Sequence, residues 1–203
     1  MWPIRGYYFI TDSRLSRSGN LNDVKDAISA GVRVVQYRCK DSDSGSMYKE
    51  ALRLRGLCSG KALFIINDRV DIALAVEADG VHIGQTDLPC SIVSELLGHK
   101  KIIGVTVHNI QEAKTALKSG ADYLGVAPIF ATMTKSDAGA PIGLGLIKQI
   151  KRMSNVPIAA VGGINYDNAA TVVRAGADCV CAISAVVSAQ NVYACIKKFQ
   201  RLF

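Results

Sequence analysis

Two cations and an amide share one side of an extended segment near the start of the chain. Gln36, Arg38 and Lys40 occupy alternate positions, and side chains along a strand alternate between its two faces. An amide and two fixed positive charges that converge in this way bind a phosphate or a diphosphate. The alternatives are a solvated row of charge, or an arginine that braces loops through salt bridges.

Two carboxylates follow the next two apolar runs of the sequence. Asp68 comes after the third run and Asp87 after the fourth. Magnesium in phosphate-handling sites keeps several waters and takes one or two carboxylates together with phosphate oxygens. Beside the two cations, this pair predicts a magnesium–diphosphate site. An equally weighted alternative is that each carboxylate caps the helix after it, although Asp71 is the better placed cap for the first of these helices.

Small residues follow the last two apolar runs. Gly162-Gly163 comes after the seventh run and Ile183-Ser184 after the eighth. Free backbone N–H groups at the start of a helix bind a monophosphate, and glycine lets the backbone approach it closely. The pattern predicts a second anion site here; the alternative is a plain tight turn.

Short apolar runs alternate with amphipathic segments and must position these groups. Runs that are apolar throughout are typical of strands buried on both faces of a parallel sheet. The predicted strands are Tyr7–Thr11, Val34–Arg38, Leu63–Asn67, Gly80–Ile83, Ile102–Val105, Tyr123–Val126, Ile158–Val161 and Cys179–Ile183. The predicted helices are Leu21–Ala30, Met47–Cys58, Ile72–Val76, Ser91–Leu97, Gln111–Ser119, Leu144–Met153, Asn168–Ala175 and Val192–Leu202. This alternation predicts an α/β fold with right-handed crossovers.

A recurring phrase favours a closed barrel over an open sheet. It precedes every second predicted strand, as Ala30-Gly31-Val32, Ala78-Asp79-Gly80, Gly120-Ala121-Asp122 and Gly176-Ala177-Asp178. A four-fold repeat fits eight βα units better than a sheet with one switch point, and no G-x-G-x-x-G follows the first strand. We therefore expect a single (β/α)8 TIM barrel, one catalytic domain over residues 1–203. Its chemistry should lie at the C-terminal ends of the strands.

Composition narrows the classes of partner. The chain has 24 Lys and Arg against 17 Asp and Glu, a formal net charge of +7, which suits a phosphorylated metabolite or a nucleic acid. A nucleic-acid-binding module is disfavoured because no basic cluster is interleaved with aromatic residues. No apolar run is long enough to span a membrane. The sequence is compatible with a homo-oligomer without determining one.

The six cysteines form no C-x-x-C pair, which argues against a zinc site. The N-terminus has no basic region followed by a long apolar stretch, so we expect no signal peptide and no disulfide framework. The cysteines are then small buried apolar groups, and the expected location is the reducing cytoplasm.

Six stretches along nearly the whole chain resemble the thiamin phosphate synthase family. They are YYFITD at Tyr7–Asp12, VVQYRCKD at Val34–Asp41, INDRVDIALAVEADGVHIGQTDLP at Ile66–Pro89, GVAPIFATMTK at Gly125–Lys135, PIAAVGGI at Pro157–Ile164 and AGADCVCAISAV at Ala175–Val186. The resemblance implies a TIM-barrel transferase that requires Mg²⁺. It joins 4-amino-5-hydroxymethyl-2-methylpyrimidine diphosphate to 4-methyl-5-(2-phosphooxyethyl)thiazole and releases pyrophosphate.

The resemblance also implies a role for individual residues. The implied pyrimidine-diphosphate binders are Gln36, Tyr37, Arg38, Cys39, Lys40, Asn67, Thr106 and Lys135, with Arg38, Lys40 and Lys135 acting on the leaving group. The implied thiazole-phosphate binders are Thr132, Met133, Thr134, Gly163, Ile183 and Ser184, and the implied Mg²⁺ ligands are Asp68 and Asp87. Thr106 stands where the family usually has serine, and Thr86 where it often has an acidic residue.

The mechanism that the resemblance implies is dissociative. Diphosphate leaves the exocyclic methylene, the electron-rich aminopyrimidine stabilises the cation, and the thiazole nitrogen attacks it. That nitrogen carries no proton, so no general base is required, and we expect His108 to stabilise its loop. The long loop Pro128–Pro141 is expected to close over the site. The nearest alternative is a thiazole tautomerase-like relative, which needs neither the diphosphate site nor the metal site.

Overall fold

In the computed structural model, the described residues are 4–98, 100–134 and 139–203. Strands and helices alternate along these ranges. The strands are β1 (Gly6–Ile10), β2 (Val34–Tyr37), β3 (Leu63–Asn67), β4 (Gly80–Ile83), β5 (Ile102–Val107), β6 (Tyr123–Val126), β7 (Ile158–Val161) and β8 (Cys179–Cys181). The helices are α1 (Asn20–Ser29), α2 (Ser44–Cys58), α3 (Val70–Ala75), α4 (Cys90–Leu97), α5 (Ile110–Lys118), α6 (Gly145–Met153), α7 (Tyr166–Arg174), α8 (Ile183–Val187) and α9 (Val192–Gln200).

The eight strands close into a parallel barrel in chain order. Each strand pairs in parallel with the next, and β8 pairs with β1 through Gly6↔Cys179 and Tyr7↔Val180. The prediction of a single TIM barrel is confirmed. All eight strands are almost completely buried along their length, because one face fills the barrel and the other lies under the helices.

The recurring phrase has a structural cause at the N-terminal end of the barrel. The Oδ2 atoms of Asp79, Asp122 and Asp178 each accept a hydrogen bond of 2.8 Å from a backbone N–H at the start of β3, β5 and β7, respectively. Each aspartate thus joins the beginnings of two neighbouring strands. The first copy of the phrase lacks the aspartate, and Gln200 Oε1 accepts from the Tyr7 N–H in β1 instead, at 3.1 Å.

The end of β8 differs from its prediction. The expected strand Cys179–Ile183 stops at Cys181, and the additional short helix α8 begins at Ile183. Sequence periodicity does not separate a buried strand from a buried helix in a run that is apolar throughout. Most of the other predicted boundaries shift by one to three residues. For example, α2 begins three residues early because the Asp43 side chain accepts from the Ser46 N–H and caps it.

All six cysteines are free; Cys39 and Cys195 are partly exposed, and the other four are buried. The expectation that they are buried is therefore wrong for these two. None of the helices in the described ranges has the length and apolar character needed to cross a membrane.

Candidate active site at the C-terminal end of the barrel

Arg38 is fixed by the residues that follow β1. The Thr11 hydroxyl accepts a hydrogen bond from the Arg38 N–H at 2.9 Å, and it lies 3.3 Å from the Arg38 carbonyl oxygen, to which it donates. Asp12, which is 5% exposed, places Oδ2 3.5 Å from the Arg38 guanidinium. Sequence reasoning assigned no role to Thr11 and Asp12. Their position at the end of a barrel strand was the available signal.

The Arg38 guanidinium retains a donor for a ligand. Its Nε atom is buried and has no hydrogen-bond partner among the described residues. A buried donor without a partner costs about 1–3 kcal/mol. An anion beside Arg38 would satisfy that donor, so the orphaned Nε supports the prediction of a diphosphate site.

Lys40 and the two predicted metal ligands lie together in the loops that follow β2, β3 and β4. Lys40 Nζ forms an ion pair with Asp68 Oδ2 at 2.5 Å. Asp87 accepts a hydrogen bond of 2.7 Å from the Gly84 N–H. Burial, and next the negative charge of Asp68, raise the pKa of the Asp87 carboxyl above its ordinary value. The two carboxylates are therefore close enough to repel each other.

The helix-capping alternative for these carboxylates is wrong. The residue that caps α3 is Arg69, without a side-chain hydrogen bond, and the residue that caps α4 is Pro89. Asp68 and Asp87 therefore do not cap the helices that follow them. Two adjacent carboxylates, with room for phosphate oxygens and waters, form the donor set that Mg²⁺ takes, so the residues present fit this ion.

A cavity of about 200 Å³ opens beside Asp68 and beside Gly84, the residue bonded to Asp87. Asn67 and Asp68 line one side, Gly163 and Ser184 line the opposite side, and Thr106 lies between them. A second lobe of about 30 Å³ continues toward the barrel interior and reaches Gln36 and Arg38. Asn67, Thr106 and Ile183 line both lobes. The structure therefore brings the two predicted anion sites to one cavity.

Three buried residues that sequence reasoning missed cross the floor of this cavity. Tyr8 and Tyr123 place their hydroxyl oxygens 2.7 Å apart. His82, which is 8% exposed, places Nδ1 2.9 Å from the Tyr123 hydroxyl and Nε2 2.8 Å from the Thr106 hydroxyl. Their only sequence signal was a polar atom on a residue in an otherwise apolar strand.

The predicted monophosphate end is built by backbone. Gly163 has φ +61°, and a Cβ there would lie 2.4 Å from the Ala131 carbonyl oxygen. Glycine is thus required both by the left-handed conformation and by the close approach of the loop after β6. The Gly163 N–H makes no hydrogen bond with the described residues. Thr132, Thr134 and Ser184 line an open groove beside it.

Five predicted residues within the described ranges line neither lobe of the cavity: Tyr37, Cys39, Lys40, Asp87 and Met133. The Tyr37 hydroxyl donates to Glu50 Oε2 at 2.6 Å, on the helix side of β2, and Cys39 packs against the core. Met133 lies in the outer groove and is 99% exposed. Lys135 falls outside the described residues, as do positions 136–138 of the expected lid. Substrate binding by these residues and by Lys135, like that by the residues that line the cavity, stays a prediction.

His108 lines the cavity, and Glu112 in the following helix α5 holds it in place. Its backbone N–H donates to Glu112 Oε2 at 2.7 Å, and its Nδ1 lies 2.9 Å from the same oxygen. These contacts agree with the expected loop-stabilising role.

Comparisons with known proteins converge on one family. The family described as "Thiamine monophosphate synthase" matches residues 7–186. The thiamine-phosphate synthase of Methanosarcina barkeri is 50% identical over 186 residues, covering 92% of this chain and 84% of the relative. That of Chloroflexus aurantiacus is 50% identical over 197 residues, covering 96% and 91%. The solved thiamine phosphate pyrophosphorylase from Pyrococcus furiosus has a TM-score of 0.88 and 37% identity, covering 98% of this chain and 95% of that one. The chain is therefore an enzyme that belongs to the thiamine-phosphate synthase family.

Proposed function

We propose that this enzyme joins 4-amino-5-hydroxymethyl-2-methylpyrimidine diphosphate to 4-methyl-5-(2-phosphooxyethyl)thiazole, forming thiamin phosphate and pyrophosphate. The observation that carries the proposal is the arrangement at the mouth of the barrel. Asp68, with Lys40 paired to it, lines one end of the cavity together with Gly84, the residue bonded to Asp87, and Arg38 lines the deeper lobe. A backbone groove lies at the other end. This is the arrangement that two phosphorylated substrates need in order to meet.

The diphosphate end uses Arg38 and Lys40. The orphaned Arg38 Nε supplies a donor that is already positioned by Thr11 and Asp12. Lys40 holds Asp68 in the absence of substrate. When diphosphate enters, Lys40 turns from Asp68 to the phosphate oxygens, so one cation serves both states. Stabilising the negative charge of the leaving group accelerates its departure.

Asp68 and Asp87 would hold Mg²⁺ together with the substrate. When bound, the ion neutralises negative charge on the departing diphosphate and on the carboxylate pair. Two carboxylates alone bind Mg²⁺ weakly, so these residues bind ion and diphosphate together. The raised pKa of the Asp87 carboxyl supports a pair that needs a positive partner.

The thiazole phosphate lies at the opposite end, against Gly163 and Ser184. The Gly163 N–H, which has no hydrogen-bond partner among the described residues, and the hydroxyls of Thr132 and Thr134 supply donors for it. With the phosphate held there, the thiazole ring extends toward the centre of the cavity. Its nitrogen then faces the methylene carbon from which diphosphate leaves, and this fixed approach replaces a chance encounter.

The proposed reaction is a dissociative displacement. The bond from the exocyclic methylene to the diphosphate oxygen breaks with its electron pair, and the aminopyrimidine ring delocalises the positive charge. The thiazole nitrogen then supplies an electron pair to the methylene carbon. Since no proton is removed from that nitrogen, the protein needs only to position the two substrates and to stabilise the charge of the leaving diphosphate.

The direct test is incubation with both substrates and Mg²⁺, with thiamin phosphate and pyrophosphate measured together. Equal amounts of the two products are expected, with neither formed when one substrate or Mg²⁺ is omitted. Pyrophosphate release without thiamin phosphate would mean hydrolysis rather than transfer. Conversion of the thiazole phosphate alone would favour the tautomerase-like alternative.

We further propose that the chain acts as one catalytic domain in the reducing cytoplasm, without nucleic acid or membrane. The six free cysteines support a reducing compartment. A homo-oligomer is compatible with this proposal, and light scattering would determine the oligomeric state.

A further inference from the structure

A chain of four hydrogen bonds crosses the floor of the cavity from β2 to β5. Gln36 Nε2 donates to the Tyr8 hydroxyl at 2.9 Å, and the Tyr8 and Tyr123 hydroxyls are 2.7 Å apart. His82 continues the chain from Tyr123 at 2.9 Å and ends on the Thr106 hydroxyl at 2.8 Å. The chain thus connects two residues that line the deeper lobe of the cavity.

The first link favours one direction for the remaining three. Tyr8 accepts from Gln36 Nε2, and its own hydrogen has an acceptor when it is donated to the Tyr123 oxygen. In that direction the Tyr123 hydroxyl donates to His82 Nδ1, and an imidazole ring with one hydrogen then carries it on Nε2. In the same direction His82 Nε2 donates to the Thr106 oxygen, which leaves the Thr106 hydrogen free to point elsewhere.

Both tyrosines keep their protons in this environment. Burial is the largest cause that raises the pKa of Tyr8 and of Tyr123 well above the ordinary value. Each hydroxyl therefore remains a donor and an acceptor, as the directed chain requires. Neither tyrosine is ionised. The hydrogen-bonded chain therefore sets the donor and acceptor roles of its ends and carries no tyrosinate charge.

Two glycines make room for the chain. A Cβ on Gly104 would lie 2.1 Å from the Tyr123 ring, and a Cβ on Gly125 would lie 2.7 Å from His82 Cε1. A glycine inside a strand weakens it and marks a close approach. The barrel accepts that cost in two neighbouring strands, β5 and β6, at the two places where these side chains must fit.

We propose that Tyr8, Tyr123 and His82 are positioning residues that set the hydrogen-bond polarity of the pyrimidine pocket. This inference rests on the proposed function, in which Gln36 and Thr106 face the pyrimidine. The directed chain leaves Gln36 Oε1 as an acceptor at one end and the Thr106 hydroxyl as a donor at the other. An aminopyrimidine presents the complementary pair, an amino donor and a ring-nitrogen acceptor. A 4-oxo analogue presents the reverse pattern, with a carbonyl acceptor and a ring N–H donor.

The direction of the chain is tested by ¹⁵N NMR of the histidine ring in the intact, ligand-free protein. The expected spectrum shows the His82 hydrogen on Nε2 and an unprotonated Nδ1; His82→Gln identifies the signals by removing them. A hydrogen on Nδ1, or on both nitrogens, would overturn the proposal. This result does not depend on activity, so it stands apart from the test of the proposed function.

The functional consequence is tested with Tyr123→Phe. The substitution removes both hydrogen bonds of the Tyr123 hydroxyl, to Tyr8 and to His82. It should raise KM for the pyrimidine diphosphate by about tenfold and reduce discrimination against its 4-oxo analogue. KM for the thiazole phosphate should stay within about twofold. The tautomer of His82 should also shift toward Nδ1–H, because the donor to Nδ1 is gone.

Tyr7→Phe is the matched control. Tyr7 precedes Tyr8, is 1% exposed and donates one hydrogen bond to the Ala182 carbonyl at 3.1 Å. Its loss removes one buried hydrogen bond outside the hydrogen-bonded chain, so stability should fall while the pyrimidine KM does not change. Equal effects of the two variants on both KM values would reduce the chain to a structural role and refute the inference. An inactive wild-type enzyme would instead refute the proposed function.

Discussion

Asp87→Asn separates the functional and structural contributions of the carboxylate pair. Asparagine keeps an oxygen that can accept from the Gly84 N–H, now bonded at 2.7 Å to Asp87. The substitution removes the charge that burial and Asp68 disfavour, as the raised pKa of the Asp87 carboxyl indicates. The free energy of unfolding should therefore stay the same or increase, whereas Asp87→Ala should lose about 1 kcal/mol with the hydrogen bond.

The effect on ligand binding can be measured without turnover. Mg²⁺ and pyrophosphate together at about 100 times their Kd stabilise the folded state by about 2.7 kcal/mol. In a chain of this size each kcal/mol raises Tm by about 2–4 °C, so the wild type should gain about 5–10 °C. Asp87→Asn should lose most of this gain, and its kcat should fall about 10²–10³-fold, the scale of losing one preorganised electrostatic contact.

Asp71→Asn is the matched control for this experiment. Asp71 forms an exposed ion pair with Arg69 in the first turn of α3, and such pairs contribute about 0–1 kcal/mol. This variant should keep both the Tm gain and the turnover of the wild type. If Asp87→Asn retained turnover within a few-fold of wild type at limiting Mg²⁺, its assignment as a ligand would be refuted.

Three further predictions concern the monophosphate end, the barrel base and the cysteines. Gly163→Ala places a Cβ 2.4 Å from the Ala131 carbonyl oxygen and should raise KM for the thiazole phosphate more than that for the pyrimidine diphosphate; equal increases in steady-state assays would argue against this location. Asp122→Ala removes the acceptor of the Ile103 N–H and should lower the free energy of unfolding by about 1–3 kcal/mol in urea titrations, with kcat unchanged. Burial raises the pKa of the Cys58 thiol to about 12 from an ordinary 9.0, so its stabilising contribution is complete below pH 9 and is lost as pH rises toward 12. Cys58→Ala should reduce the alkaline slope of stability by about 1.4 kcal/mol per pH unit, and an unchanged slope would contradict the burial argument.

Much of the architecture was predictable because the barrel uses simple patterns. Continuous apolar runs marked the strands, and the four-fold repeat of the recurring phrase favoured a closed barrel. The end of β8 was not predictable, because the sequence after Cys181 is apolar and equally compatible with strand or helix. The additional helix α8 depends on packing against other elements such as α9, and a local sequence pattern does not contain that information.

The candidate site was predictable in its positions and less so in its contacts. Period-two alternation placed Gln36 and Arg38 on one face and Tyr37 on the other, and the structure agrees. The ion pair of Lys40 with Asp68 joins two strand ends and follows only from their relation in three dimensions. The buried chain through His82 was missed for the same reason, since each link joins different strands.

Three local costs at the mouth of the barrel have a common remedy. Arg38 Nε is buried without a partner among the described residues, the Asp87 carboxyl is held beside a second carboxylate, and Asp68 has a left-handed backbone with φ 62°. Each is unfavourable in an isolated protein. A diphosphate would satisfy Arg38, and a divalent cation bound with it would offset the repulsion between the carboxylates. The left-handed backbone of Asp68 would then have a function. It would direct the carboxylate toward Lys40 when no ligand is bound and toward the cation when the ligands are bound. Without a ligand these three features would have three unrelated causes, whereas the proposed pair of diphosphate and cation would account for all three.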